Sequence, residues 1–268
     1  MPDNRSRRAL ARFPFWLLAI ALLGVLTLWA IVADQGYAQI FRALSGGVWT
    51  TLWVSLVAFV LATLLGLVIA LLRTSGYPVL VQFATFYVEL IRGIPILVFL
   101  FYVAFVGAPA IVVAVNWLTQ PLQQIGWASP LTVRNFDFTW RAIFALMVCY
   151  SAFLAEIFRA GIEAVPRGQI EAARALGLRP APIFRHVVAP QALRTILPPL
   201  GNDFVSMIKD SALVSALGVA DITQLGKVYS SGTFKFFETY NVVAFLYLTM
   251  TISLSLLVRL LERRLKQY

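Results

Sequence analysis

Charge is what this sequence has least of. Only 13% of its 268 residues are Asp, Glu, Lys or Arg, while 60% are hydrophobic; a soluble domain carries about a quarter charged residues. No charged residue lies between Arg42 and Arg73, and none between Gly93 and Val133. Each gap exceeds the roughly 20 apolar residues needed to cross a hydrocarbon core about 30 Å thick. A soluble globular chain is therefore excluded, and a polytopic membrane protein is predicted. Cysteine and histidine are nearly absent as well: Cys149 and His186 are the sole examples. An intrachain disulfide is excluded, and neither a metal cluster nor redox chemistry is supported. No G-x-x-x-x-G-K-[ST] phosphate loop occurs, since Gly226-Lys227 is followed by Val228, so this chain brings no ATPase of its own. Solenoid-period repeats and low-complexity tracts are missing too.

What is present is a series of long apolar runs. They predict an all-α membrane protein of about six transmembrane helices, over residues 14–33, 47–72, 79–107, 140–160, 191–219 and 240–260. The first run follows Arg5, Arg7, Arg8 and Arg12, which resembles the positive end of a signal peptide. It is longer than the usual 7–15 apolar residues and shows no small-residue cleavage site, so a retained helix is expected. Residues 1–13 form a basic N-tail, residues 14–46 an extra helix with its outer loop, residues 47–260 the main membrane domain, and residues 261–268 a basic tail. Fourteen Lys or Arg fall in the N-tail, the turn at 73–78, the loop at 159–190 and the C-terminal tail, against four in the opposite loops. Since Lys and Arg mark cytoplasmic loops, both termini are expected inside. The net charge of +10 is thereby assigned to loops, and no nucleic-acid partner is expected. The outer loop at 108–139 contains "VVAVNWLTQPLQQIGW", which reads equally as an amphipathic surface segment and as a simple connecting loop.

The inner loop at 161–190 carries the most specific signal. Pro166 and Gly168 are expected to break the helix leaving the membrane. "QIEAARALGL" then offers strong helix formers, with Glu171 early and Arg174 late, as the helix dipole prefers. Gly177 can supply a left-handed stop, and Pro180 and Pro182 bar continuation. A helix this short is unstable alone in water, so something packs against it. Ile170, Ala172, Ala173 and Leu176 offer a low apolar surface for a partner's groove. Glu171-Ala172-Ala173, three positions, Gly177, nine positions, then Val187 and Pro190 resembles the EAA loop of permease subunits in ABC importers. Val187 stands for its Ile, and Ala189 for its Leu. "YVELIRGIPILVFL" (87–100), "SAFLAEIFRAGIEAVPRGQIEAARALG" (151–177) and "PPLGNDFVSMIKDSALVSALGV" (198–219) are similar to segments of the polar amino acid permeases of that class.

The resemblance implies the fold of a type I ABC importer permease in a bacterial inner membrane. It also implies that Glu171, Ala172, Ala173, Leu176 and Gly177 belong to a coupling helix seated on a cytoplasmic ABC ATPase dimer. ATP and Mg would be bound by that partner and no cofactor by this chain, with a second permease chain and an extracytoplasmic substrate-binding protein completing the assembly. No catalytic residue is expected.

The remaining candidates are charges at bilayer depth, which cost on the order of 2.5–3.5 kcal/mol each and so pair or face a cavity. Glu89 and Arg92, three apart, either pair with each other or leave Glu89 for a substrate ammonium. Pro198, Pro199 and Gly201 are expected to disrupt the fifth span next to Asn202 and Asp203, the other pathway candidates. Lys209 and Asp210, adjacent in sequence and unable to pair across one helix face, are expected to need separate partners in a structural or gating network. Glu156, Arg159 and Glu163 are expected to brace the inner loop. Ile94 and Phe99 replace the Thr and Gln of the resembling family, which leaves the identity of the solute open. Competing readings are a permease for another small solute, a stand-alone ion-coupled carrier using Glu89 and Asp203, and an intramembrane enzyme, for which His186 alone supplies no nucleophile–base pair.

Overall fold

The computed structural model describes residues 15–266, with side chains from 18 to 263; the N-tail arginines and the last residues of the basic tail lie outside these bounds. The helices are α1 (Phe15–Ala33), α2 (Gln35–Arg73), α3 (Pro78–Gly93), α4 (Ile96–Gln124), α5 (Phe138–Glu163), α6 (Arg167–Ala175), α7 (Ala189–Asp210), α8 (Ile222–Thr233) and α9 (Phe236–Lys266). Among the described residues there is no strand. Among the described residues four helices are long and apolar enough to cross a membrane, namely α2, α4, α5 and residues Phe236–Arg263 of α9, and Leu18–Ala33 is a shorter apolar helix. The fifth expected span lies on α7, whose Asn202, Asp203, Lys209 and Asp210 dilute its apolar character.

Two boundaries differ from expectation. Residues 35–46, expected as an outer loop, are the first turns of α2. Asp34 caps them, its Oδ1 accepting from the backbone N–H of Gly36 at 2.7 Å and of Tyr37 at 3.0 Å. At 39 residues α2 is about 58 Å long, well beyond the bilayer core. The third expected span, 79–107, is instead broken at its middle. Pro95 cannot donate a backbone hydrogen bond, and it pushes the residue before it out of the helical region: Ile94 is extended at φ −102°, ψ 131°. The spanning helix begins only at Ile96, and it runs to Gln124 through most of the expected outer loop.

Proline also explains two widened turns, at Val103–Gly107 within α4 and at Phe184–Val188 ahead of α7. Each is followed by Ala-Pro. The N–H of Ala108 reaches back five residues to the Val103 carbonyl, and that of Ala189 to Phe184. Pro109 and Pro190 have no N–H for the next carbonyl along. In α4 that orphan is the Ala104 carbonyl, and the buried Arg141 Nη1 donates to it at 3.1 Å. Arg141 also donates to the carbonyls of Phe136 and Val133, at 2.6 Å each. Its charge is further spread over the Phe138 ring, 4.7 Å away. One arginine thus ties the 125–137 connection to α4. Pro198 and Pro199, by contrast, do not break α7, which continues through them to Asp210; only two helical hydrogen bonds are lost, and both flanks are packed.

The main core lies between α2 and α5. Ala58, Ala62, Gly66 and Ala70 recur every four residues and are all buried, facing Leu146, Ala152 and Leu154 of α5 in one cluster. Such a stripe of small residues lets two helices approach closely in a membrane, where packing rather than hydrophobicity drives association. The approach is tightest at Gly66: a Cβ there would sit 2.9 Å from the Ser151 carbonyl oxygen and 3.0 Å from Leu154 Cβ. A second cluster at the other end joins Ile31, Ile40 and Leu44 to Ile208, Ile222, Val242, Leu246 and Met250. Gly66→Leu is expected to lower stability by about 1–3 kcal/mol through overpacking, whereas Gly24→Leu, with open space around it, is expected to be neutral. Thermal unfolding of the two variants in detergent checks this.

Candidate coupling helix and the arginine-clamped carboxylate

Residues 164–188 project from one end of the bundle, hereafter the loop end. The break after α5 is made at Ala164–Pro166, and α6 starts at Arg167 and runs through Gly168, so Gly168 does not interrupt it. The stop is built as expected. Gly177 takes φ +79°, the Gly177 N–H donates to the Arg174 carbonyl at 2.9 Å, and the Leu178 N–H reaches back to the Ala173 carbonyl at 3.2 Å. This is the double closure in which a left-handed glycine turns the chain and satisfies the last carbonyls of the helix.

Of the four apolar residues expected to face a partner, two are used at home. Ala173 is buried and Ile170 packs against the same core as Ile183 and Val188. Gln191 Nε2 donates to Gln169 Oε1 at 2.6 Å, fixing α6 against the approach to α7. Glu171, Ala172 and Arg174 face outward, and Leu176 is 82% exposed. The free surface is therefore narrower than the sequence implied: Ala172 and Leu176, rimmed by Glu171 and Arg174.

Six to seven residues deeper along α5, Glu156 gathers three arginines. Its Oε1 pairs with Arg73, the last residue of α2. Its Oε2 accepts from Arg159 Nη2 at 2.8 Å and Nε at 3.0 Å, and Arg159 in turn donates to Glu163 at 2.5 Å. Arg92, next to the end of α3, comes to 3.8 Å from Oε1 and lies over the Phe153 ring at 5.4 Å. Arg92 therefore faces Glu156 and not Glu89, so of the two arrangements left open by the sequence the intrahelical pair is not the one formed. Glu89 is exposed and has no ion-pair or hydrogen-bond partner among the described residues.

The α7 candidates divide in a similar way. Asn202 is exposed, and Asp203 is half-buried. Asp210 accepts a 2.7 Å hydrogen bond from the Tyr150 hydroxyl of α5. Lys209 is exposed with no partner among the described residues. Asp203 and Asp210 are two turns apart, so they share a face. Four elements thus contribute polar groups, but among the described residues no hydrogen bond or ion pair joins Glu89 to Asn202 or Asp203. The structure adds Arg73 and Arg141, which sequence reasoning had not marked as site residues. Arg141's position at a helix start after a proline-rich stretch was the only signal for it, and nothing in a single sequence connects residues 73 and 156.

Residues 62–267 match the family described as binding-protein-dependent transport system inner membrane component. The chain belongs to this family. It is similar to the probable amino-acid permease protein YxeN of Bacillus subtilis (strain 168), at 35% identity over 81% of this chain and 88% of that one. It is also similar to the glutamine transport system permease protein GlnP of Escherichia coli (strain K12), at 35% identity over 81% and 90%. Among solved structures, that of an amino acid ABC transporter with histidines superposes with a TM-score of 0.70 at 37% identity, covering 87% of this chain and 98% of that chain. An inward-facing MetNI methionine ABC transporter shares the fold, with a TM-score of 0.62 at 21% identity. The chain is a multi-pass membrane permease subunit, and α1 with the first part of α2 lies ahead of the family's matched region.

In this permease the Glu156 clamp holds α2, α3 and α5 together at the loop end. Removing its charge leaves Arg73 without its carboxylate and Arg159 with Glu163 alone. Glu156→Gln is expected to destabilise the protein by about 1.5–3 kcal/mol, the range for hydrogen bonds to charged groups. Chemical denaturation in detergent measures it, and a loss below half a kcal/mol would remove the clamp from the account.

Proposed function

We infer that this chain forms the translocation pathway for a polar amino acid and is driven by a separate ATPase seated on α6. The observation that carries the coupling half is Leu176: a leucine 82% exposed at the end of a helix whose other apolar face is already packed on its own bundle. An apolar side chain presented on a rigid, polar-rimmed helix end suits a partner's cleft, and helix-in-groove docking is a common mode of recognition. Family membership supports the rest, as does the similarity to amino-acid and glutamine permeases at 34–35% identity over most of the chain.

On this reading the loop end and both termini are cytoplasmic. Two ATPase subunits bind ATP and Mg, an extracytoplasmic binding protein delivers solute, and a second permease chain, identical or homologous, completes the pathway. The chain itself performs no covalent chemistry. Glu89, Arg92, Asn202 and Asp203 are the pathway candidates, polar groups at span depth of which Arg92 alone approaches a counter-charge among the described residues. Lys209 and Asp210 lie further towards the other end, where the Tyr150–Asp210 bond joins α5 to α7. ATP-driven closure of the ATPases moves α6 as a rigid lever, because Pro166 ahead of it and Gly177 behind it bound a helix already fixed through Ala173 and Gln169.

The test is ATP-driven uptake of labelled amino acids by proteoliposomes containing the purified complex and its binding protein. Wild-type uptake is expected to require ATP and binding protein together. Leu176→Asp is expected to reduce co-purification of the ATPase and to lower uptake by roughly tenfold or more, the effect of losing an anchor worth above about 1.4 kcal/mol, with no change in the unfolding temperature of the permease. Uptake unaffected by Leu176→Asp would contradict the coupling assignment, and uptake without ATP would contradict the transport reading.

A further inference from the structure

Two opposite charges at span depth are left over once the partners above are assigned. Glu89 of α3 and Lys209 of α7 are both exposed, and neither has an ion pair or hydrogen bond among the described residues. A charge at bilayer depth that meets neither a counter-ion nor a water-filled cavity is costly. The other carboxylates at this level are turned inward. Glu156 is held by Arg73 and Arg159, Asp210 accepts from the Tyr150 hydroxyl, and Asp203 shares the half-buried face of Asp210. Glu89 is therefore the one exposed carboxylate at this level among the described residues.

The two charges lie at similar depth. The Tyr87 hydroxyl stands 2.7 Å from Ser151 Oγ and Arg92 approaches Glu156, so Glu89, between them on α3, is level with residues 151–156 of α5. Lys209 adjoins Asp210, which is bonded to Tyr150. The offset along α5 is about one turn, roughly 5 Å, which a lysine's flexible four-carbon stem spans. The two charges also open on the same side of α5. An open cavity of about 430 Å³ between α5 and α7 is lined by Arg92 of α3 and by Thr195 and Pro199 of α7. Glu89 and Arg92, three apart, share a face of α3. On α7, which stays helical to Asp210, Thr195, Pro199, Asn202, Ser206 and Lys209 recur at helical spacing and form one stripe. All but Pro199 are polar, a composition unsuited to a lipid-facing side.

We propose that this face packs against a second copy of the same chain, with Glu89 of each copy paired to Lys209 of the other. A two-fold axis along the bilayer normal keeps every residue at its own depth. It therefore sets Glu89 of one copy level with Lys209 of the other, and the contact occurs twice, as an isologous interface requires. Two reciprocal pairs use both orphan charges and leave none over. A related but different chain does the same only if it carries both charges at the same two places. The inference rests on the second permease chain of the reading above and specifies that chain as identical.

The experiment uses two differently tagged copies of the full chain expressed together with the ATPase. In membranes, with the buried Cys149 replaced by serine, Glu89→Cys is placed in one copy and Lys209→Cys in the other, and a short bifunctional thiol reagent is added. A cross-link joining the two tags is expected, and no intrachain cross-link when both cysteines are placed in one copy. Charge reversal gives a second readout. Glu89→Lys and Lys209→Glu are each expected to lower recovery of one tag with the other at least about tenfold, and both reversals together in every copy to return it to within about threefold of wild type. The cysteine readout needs neither charge, so it decides where a reversal does not fold. A complex holding one copy of this chain and a different permease chain, a cross-link within one copy, or cysteines that react with water-borne reagent without joining the tags would each overturn the proposal. So would assembly unchanged by the single reversals, or folded reversals that do not rescue each other. Loss of amino acid uptake by a complex that still cross-links counts against the amino acid reading above and leaves this pairing standing.

Discussion

The carboxylate of Glu156 is the point on which the loop end depends. It receives Arg73 from the end of α2, Arg159 from its own helix and the approach of Arg92 from the end of α3. A charge a few turns inside a membrane helix is costly unless it is met, and here one anion meets the ends of two other helices. The consequence runs in two directions. Downward along α5, Arg159 passes the constraint to Glu163, the last residue before the loop that presents α6. Sideways, it holds α3 where Arg92 reaches the cavity between α5 and α7. The base of the loop that presents α6 and the position of Arg92 therefore share one electrostatic anchor.

Proline shapes the rest of the bundle by subtraction. Pro95 separates α3 from α4, Pro109 and Pro190 follow the two widened turns, and Pro199 withdraws one N–H from α7. In a membrane each freed backbone group must find another partner or line a cavity. The structure shows one freed carbonyl met by Arg141. Close helix contact is the complementary device: Gly66 lets the backbones of α2 and α5 come within a distance that a methyl group would obstruct. Close contact there and interrupted backbone elsewhere divide the bundle into tightly packed parts and parts that present polar groups.

Much of the fold was legible because long uncharged runs admit one interpretation, and the α6 stop was legible because Gly177 followed by Pro180 has a definite local chemistry. The boundaries failed for equally local reasons. Asp34 was passed over as a capping residue, so the first turns of α2 were read as loop. The gap without charge across 93–133 hid the break that Pro95 imposes, and α7 absorbed Pro198 and Pro199 that were expected to break it. In the candidate site, spacing could offer Arg92 only Glu89 as a partner, because periodicity sees only neighbours along one helix; the carboxylate that Arg92 approaches is 64 positions away. The same limitation applied to Ala173 and Ile170, whose apolar character was visible but whose use, inward against their own bundle, was set by tertiary packing.

The central claim is that α6 transmits force from an ATPase, and contact at Leu176 tests it most directly. A single cysteine placed by Leu176→Cys, with the buried Cys149 replaced by serine, can be treated with a short bifunctional thiol reagent in membranes containing the whole transporter. The account predicts a cross-link from position 176 to the ATPase whose yield changes with bound nucleotide, and none from a cysteine placed at Trp127, which is 82% exposed in the connection between α4 and α5. A cross-link from position 127 but not from 176, or none from 176 in any nucleotide state, would contradict it.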